Sequence, residues 1–206
     1  MQKKVLFQGD SITDAGRSRE SDYYLGHGYA SMVAGTIGYF MPLQYSFQNR
    51  SISGNRVVDL FARWKEDCIN LSPDLVSILI GVNDVWHELE KGQGVDAKTF
   101  ETVYDLLLSM TKEHLPNAKL VLLCPFVLDG SGTHEHFAIF QKEVALRASI
   151  TKKMAEKHNA ICISLQEVFD KACESAPADY WLHDGVHPTP AGHQLIATEW
   201  TKHVIF

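Results

Sequence analysis

The chain is expected to be an α/β protein of three layers, α/β/α, with a five-stranded parallel sheet covered by helices on both faces. Three observations lead there. Short apolar runs recur along the chain and alternate with segments whose apolar residues fall at helical spacing. The runs at 75–80 and 120–124 are almost wholly apolar, as strands buried on both faces must be. Finally, 206 residues at 45% hydrophobic and 21% charged suffice for a core of ordinary composition, so a single domain over 1–206 is expected.

Val5, Leu6 and Phe7 form the first strand, which ends at Gly9, Asp10 and Ser11. A small-residue helix is expected over 28–40, weakened by Gly35 and Gly38 and stopped before Pro42. A second strand covers 44–48 and gives way to the polar segment 49–55. Val57, Leu60, Phe61, Trp64 and Cys68 then share one face of a helix, with Arg63, Glu66 and Asp67 largely opposite. The third strand, 75–80, ends at Gly81, Val82, Asn83 and Asp84, and residues 85–97 read as a loop marked by Gly92 and Gly94.

A helix over 98–114 is expected to bury Phe100, Val103, Leu107 and Met110. Strand four (120–124), a loop through Asp129–Gly132, a long helix (137–158), strand five (160–163) and a shorter helix (165–174) follow. The last loop holds Trp181 to Pro188, and Pro190 opens a terminal helix where its missing N–H costs nothing. Strand order is not readable from propensity, but 2-1-3-4-5 is usual for such a doubly wound sheet.

The net charge of −6, without a basic run, argues against nucleic acid and against an anionic membrane surface. No stretch is long and apolar enough to span a bilayer, and Met1–Lys4 lead directly into the first strand without a signal-peptide core. Cytoplasmic residence is the corresponding expectation. The four cysteines (68, 124, 162 and 173) form no Cys-x-x-Cys pair and are read as reduced, structural thiols. The oligomeric state is left open, a homo-oligomer included.

Four loops at the carboxyl side of the sheet carry chemistry. Ser11 is a candidate nucleophile at a strand end. His187 is a candidate base, and Asp184, three residues before it in a turn, is able to reach its near ring nitrogen and fix the tautomer. The N–H of Ser11, the N–H of Gly54 and the side-chain amide of Asn83 are candidate donors to a developing oxyanion. Each residue alone has a blander reading as a turn former or cap; together, in this order on successive loops, they point to acyl transfer.

These same stretches resemble the blocks of the SGNH (GDSL-type) hydrolases: Gly9-Asp10-Ser11-Ile12-Thr13 is similar to the first, 49–54 to the second, Gly81-Val82-Asn83-Asp84 to the third and Asp184-Gly185-Val186-His187-Pro188 to the fifth. Ser51 stands where many members carry a further glycine. The resemblance spans essentially the whole chain. It implies a flavodoxin-like three-layer fold and a serine esterase working without metal or cofactor. Gly81-Val82-Asn83-Asp84-Val85-Trp86 and Asp59-Leu60-x-x-Arg63-Trp64 look most like intracellular bacterial carbohydrate acetylesterases of the acetylxylan-esterase kind. An acetylated sugar is then the expected substrate, with Trp86, Trp181 and His183 as a candidate substrate wall.

Other readings are a thioesterase or lysophospholipase for longer acyl chains, and a non-catalytic carbohydrate-binding relic. Histidines crowd the tail (183, 187, 193) and recur at 134 and 136, but Gly185 and Pro188 break the helix that His183-x-x-x-His187 would need to face a metal.

Overall fold

A computed structural model describes residues 2–204. Five parallel strands, β1 (Lys3–Gly9), β2 (Tyr45–Asn49), β3 (Leu75–Leu79), β4 (Lys119–Cys124) and β5 (Ile161–Ser164), form one sheet in the order β2-β1-β3-β4-β5. The order is the doubly wound one. Its direction of growth reverses between β1 and β3, and the crevice at the carboxyl ends of those two strands is where such sheets bind ligands.

Period-two alternation divides the strand residues between two cores. Leu6, Val76, Ile78, Leu120 and Leu122 meet Val57, Leu60 and Trp64 of α3 (Val57–Asp67), Phe100, Tyr104 and Leu107 of α5 (Ala97–His114), and Ile150 and Met154 of α6 (Phe137–Lys157). On the other face Val5, Phe7, Leu75, Leu79, Val121 and Leu123 meet α2 (Tyr29–Phe40), α7 (Gln166–Ala172) and α9 (Pro190–His203) through Tyr29, Val33, Phe169, Ile196 and Trp200. Each such aliphatic side chain removed from water contributes about 1.5–3 kcal/mol. Both core indoles are paired, Trp200 donating to Ser77 Oγ at 2.9 Å and Trp64 to Thr111 Oγ1 at 2.8 Å, whereas the buried Tyr104 hydroxyl has no hydrogen-bond partner among the described residues.

Three expectations need correction. Of the loop expected over 85–97, residues 85–91 are helical, part of α4 (Val82–Lys91). Val82, Val85, Trp86 and Leu89 provide its apolar stripe, and Gly92, at φ +62°, closes it with an N–H to Glu88. Phe61 lies at the edge of the α3 stripe and is 38% exposed. In α5 the fully buried residues are Phe100, Tyr104, Leu107, Leu108 and Thr111, while Val103 and Met110, expected to be buried, are only half-buried; the stripe is shifted around the helix, which packs between α3 and α6. Two short helices complete the order of elements, α1 (Ser11–Asp14) and α8 (Ala178–Trp181).

The four cysteines carry free thiols, with Cys124 and Cys162 placed Sγ to Sγ at 3.6 Å on neighbouring strands. Among the described residues no helix is long and apolar enough to cross a membrane.

Candidate active site

The strand-to-helix step after β1 is tight. A Cβ on Gly9 would overlap the Leu79 carbonyl and come within 2.7 Å of Thr13 Oγ1, so only glycine fits there. Asp10 caps the one-turn helix that follows, its Oδ1 accepting the Ile12 N–H at 3.0 Å. Ser11 is thereby the first residue of α1, its N–H among the amides that a helix start leaves without an intrahelical partner.

Ser11 Oγ lies 2.8 Å from His187 Nε2, and His187 Nδ1 lies 2.6 Å from Asp184 Oδ2. The other carboxylate oxygen of Asp184 accepts the backbone N–H groups of Val186 (2.9 Å) and His187 (2.7 Å). The loop carrying both residues is pinched by the Leu182–Pro188 bridge and turns at Gly185, whose φ is +96°. The loop after β4 clamps it from outside: Leu128 N–H donates to the Gly185 carbonyl and Gly132 N–H to the Asp184 carbonyl, both at 2.9 Å. A Cβ on Gly130 would come within 2.5 Å of the Gly185 nitrogen. This clamp is the part of the site least visible in the sequence. Two glycines two residues apart, Gly130 and Gly132, are its signal.

Electrostatics follow the geometry. Burial pushes the Asp184 carboxyl up, but the hydrogen bonds from His187 and Val186 outweigh it and hold the group well below the usual carboxylate range. The bond to Asp184 raises the His187 pKa, with desolvation opposing it. Asp10, fully buried, is pushed up to about 7 by desolvation, against the Ile12 N–H and the positive charge of His187.

Gly54 sits at φ +81°, and a Cβ there would meet nothing nearer than His87 Cε1 at 4.0 Å. The Asn83 amide donates to the carbonyl of Asn55 at 3.1 Å, which brings the turn after β3 against the Gly54 loop. That loop is held from below. Asp14 Oδ2 accepts the Ser53 N–H at 2.9 Å, Arg17 Nε donates to the Ser51 carbonyl at 2.7 Å, and the Asn49 amide donates to the carbonyls of Thr13 and Leu25. Asp84, next to Asn83 and fully buried, accepts the Val57 N–H with both oxygens, at 3.1 and 3.3 Å. Ser11, His187 and Asp184 are thus joined at the end of β1, and the Gly54 and Asn83 turns are bonded to each other at the ends of the neighbouring strands β2 and β3.

The three candidates for a substrate wall separate. Trp86, on α4, places its ring 5.7 Å from that of His187 and 5.9 Å from Phe140. His183 is exposed and stacks on His187 at 5.7 Å, its Nδ1 3.0 Å from the His187 carbonyl. Trp181 points elsewhere: its indole donates to the Ala172 and Ala176 carbonyls and lines a cleft with Cys162, Leu195 and Lys202. It shares no wall with Trp86.

A cavity of about 510 Å³ opens on the far side of Trp86, lined by Trp86, Leu89, Glu90, Gly132, Glu135 and His136 among others. Gly132, one of its lining residues, packs against Asp184, where a Cβ on Gly132 would come within 3.5 Å of Asp184 Cβ.

His183, Asp184 and His187 bring ligand-type atoms within 4.8 Å of one another. The 2.6 Å between Asp184 Oδ2 and His187 Nδ1 is a hydrogen bond, too short for two ligands of one tetrahedral ion, whose donors stand about 3.3 Å apart at metal–ligand distances near 2 Å. His193 is occupied structurally, Nδ1 accepting the Tyr29 N–H at 3.2 Å, and desolvation lowers its pKa to about 4.

Comparison with known proteins identifies the family. Residues 7–195 match the model of the GDSL-like lipase/acylhydrolase family. The chain is 34% identical to an acetylxylan esterase of Geobacillus stearothermophilus, over 99% of its own length and 94% of the relative's. A crystal structure of that enzyme superposes with a TM-score of 0.89 at 33% identity, covering 99% of this chain and 94% of the other. Catalytic mutants of the same enzyme at a serine, an aspartate and a histidine are similar at TM-scores of 0.88 to 0.89. A structure from Parabacteroides merdae assigned to the GDSL-like lipases reaches a TM-score of 0.93 at 40% identity, covering 98% of this chain and 96% of that one. With its parallel sheet, its serine at the end of β1 and matches that run nearly the length of the chain, the protein is a serine carboxylic ester hydrolase and belongs to the GDSL-like lipase/acylhydrolase family.

Proposed function

We propose that this esterase deacetylates carbohydrates, acetylated xylo-oligosaccharides in particular, through an acyl-enzyme on Ser11. The observation that carries the chemistry is the continuous Ser11–His187–Asp184 relay, with separations of 2.8 and 2.6 Å. His187 takes the Ser11 proton as Oγ attacks the ester carbonyl. The oxyanion is received by the N–H groups of Ser11 and Gly54 and the amide of Asn83, donors already held before substrate arrives. His187 then protonates the leaving sugar hydroxyl, and a water activated by the same ring releases acetate. Asp184 keeps Nδ1 protonated and steadies the imidazolium.

The substrate class is supported by the acetylxylan-esterase relative and by the surface beside His187. Trp86 offers an aromatic face, and the cavity beyond it is rimmed by Glu90, Glu135 and His136. An apolar ring under a polar rim suits a sugar, whose C–H face and hydroxyls differ in the same way. A long acyl chain would lay methylenes against carboxylates.

The test compares acetyl and octanoyl nitrophenyl esters, then acetylated xylo-oligosaccharides. Acetyl should be preferred at least about tenfold in kcat/KM, and acetate should be released from the oligosaccharides. Preference for octanoyl overturns the reading. A fluorophosphonate should label wild type and not Ser11→Ala; absence of labelling in wild type would favour a binding relic.

A further inference from the structure

We propose that Asp84 is a positioning residue for the oxyanion hole, holding the two loops that carry Gly54 and Asn83 at a fixed separation. The inference rests on the proposed role of those two donors, but it concerns a group that the mechanism itself does not use.

Asp84 is fully buried, and both carboxylate oxygens are spent on one amide, the N–H of Val57. Val57 is the first residue of α3, three positions after Gly54. One residue before Asp84, the Asn83 amide reaches the carbonyl of Asn55, one position after Gly54. Two adjacent residues of α4 therefore grip the chain on the carboxyl side of Gly54, at Asn55 and Val57. Arg56, between the two grips, is fixed by its own N–H to Asp59 at 2.8 Å.

The two bonds differ in consequence. Asn83 is itself a proposed donor to the oxyanion, and during reaction its amide must serve substrate as well as Asn55. Asp84 touches neither substrate nor the reacting atoms, so its bond to Val57 persists while the Asn83 amide is engaged. The segment after α4 is also tied to this residue, because the Val95 N–H donates to the Asp84 carbonyl at 2.9 Å.

Such a bond needs an acceptor at position 84, not a charge. Burial itself disfavours the ionised form, and the carboxyl is pushed up to about 7 by desolvation, with the Val57 N–H opposing and the charge of Asp10 adding to the rise. Asparagine keeps an acceptor oxygen; alanine keeps none. The bond is also removable from its other end. Proline is favoured at the first position of a helix, and Arg56 before it already has the extended ψ of 174° that proline requires. Val57→Pro deletes the donor and leaves Asp84 in place.

The experiment measures kcat and KM for nitrophenyl acetate in Asp84→Ala, Asp84→Asn and Val57→Pro, beside Asn83→Ala. Asp84→Ala and Val57→Pro should each lower kcat about 10- to 100-fold with KM within about twofold, less than the 10²–10³ expected for loss of a donor itself. Asp84→Asn should recover most of the wild-type kcat, and the Ala/Pro double variant should be no worse than the worse single. Wild-type kcat in Val57→Pro overturns the proposal, including the case where Asp84→Ala fails to fold. Equal losses in Asp84→Asn and Asp84→Ala also overturn it, since charge and not the bond would then matter. Full kcat in Asn83→Ala would instead overturn the donor assignment on which it rests.

Discussion

The crevice has two halves built on different principles. Its inner half, formed by the turns after β1, β2 and β3, is buried and internally bonded: Asp10, Asp14, Asn49 and Asp84 are all under 5% exposed; Asp10 caps its own turn, and the other three each hold a backbone N–H or carbonyl of a neighbouring loop. Its outer half, formed by α4 from Trp86 onward and the loops around Gly132 and His183, presents exposed side chains, with His183, Glu90 and Glu135 open to solvent. On the proposed mechanism the inner half fixes where charge develops, and its buried bonds leave it little freedom to vary. The outer half meets whatever is attached to the ester. Reaction type belongs to the first and substrate choice to the second, and each variant below is a way to test that division.

The largest effect is expected at the junction of the halves. Ser11→Ala removes the nucleophile at the 2.8 Å contact with His187 and should lower kcat by about 10⁴-fold or more on every ester, whatever its leaving group. Comparable losses on nitrophenyl acetate and on an acetylated oligosaccharide would keep chemistry and specificity apart. Retention of a tenth of the activity would remove Ser11 from the role.

The pH profile comes next. His187 acts as a base only when neutral, and its pKa is raised above 6.5, first by the bond to Asp184 and also by the charge of Asp10. Activity should therefore fall as pH drops, along a limb whose midpoint lies above 6.5. Asp184→Asn removes the main cause, so the midpoint should move down as kcat itself falls; a midpoint that stays put would separate the limb from this histidine. Stability follows the same pair with opposite signs. The contribution of Asp184, whose folded pKa is depressed, is present above 3.8 and lost as pH falls below it. That of His187 is complete below 6.5 and lost as pH rises through its raised value. The pair stabilises the fold most between those limits, which thermal melts of wild type and Asp184→Asn across pH would reveal.

The same division sets how much is readable from the sequence. The strands themselves, the serine at the end of β1 and the spacing of Asp184 and His187 are local signals, carried by apolar runs and short turns that mean the same in any context. The strand order is not local and follows only from what is usual for a doubly wound sheet. Helix α4 is less legible, because Gly92 and Gly94 suggest a loop and the stripe Val82, Val85, Trp86, Leu89 spans barely two turns. Trp181 shows the limit more sharply. It lies two residues from His183 and three from Asp184, yet α8 turns its indole toward the end of α7. The clamp at Gly130 and Gly132 joins residues more than fifty apart, and no local pattern predicts which loop will press on the acid. Inner-half contacts such as Asp84 to Val57 are equally non-local, and their residues look like ordinary helix starts.

The smallest effect should come from the outer half. Trp86 stands between His187 and the polar-rimmed cavity, 5.7 Å from one and lining the other. Trp86→Leu keeps an apolar side chain against Phe140 but removes the flat ring. If the ring stacks on a sugar, its loss should cost about 1 kcal/mol of binding, or roughly fivefold in KM, on acetylated xylo-oligosaccharides. The ratio of kcat/KM for the oligosaccharide to that for nitrophenyl acetate should fall by that factor, because nitrophenyl acetate has no sugar ring to lose. An equal fall on both substrates would mean that Trp86 acts through His187, and the boundary between the two halves would then run on the far side of the indole.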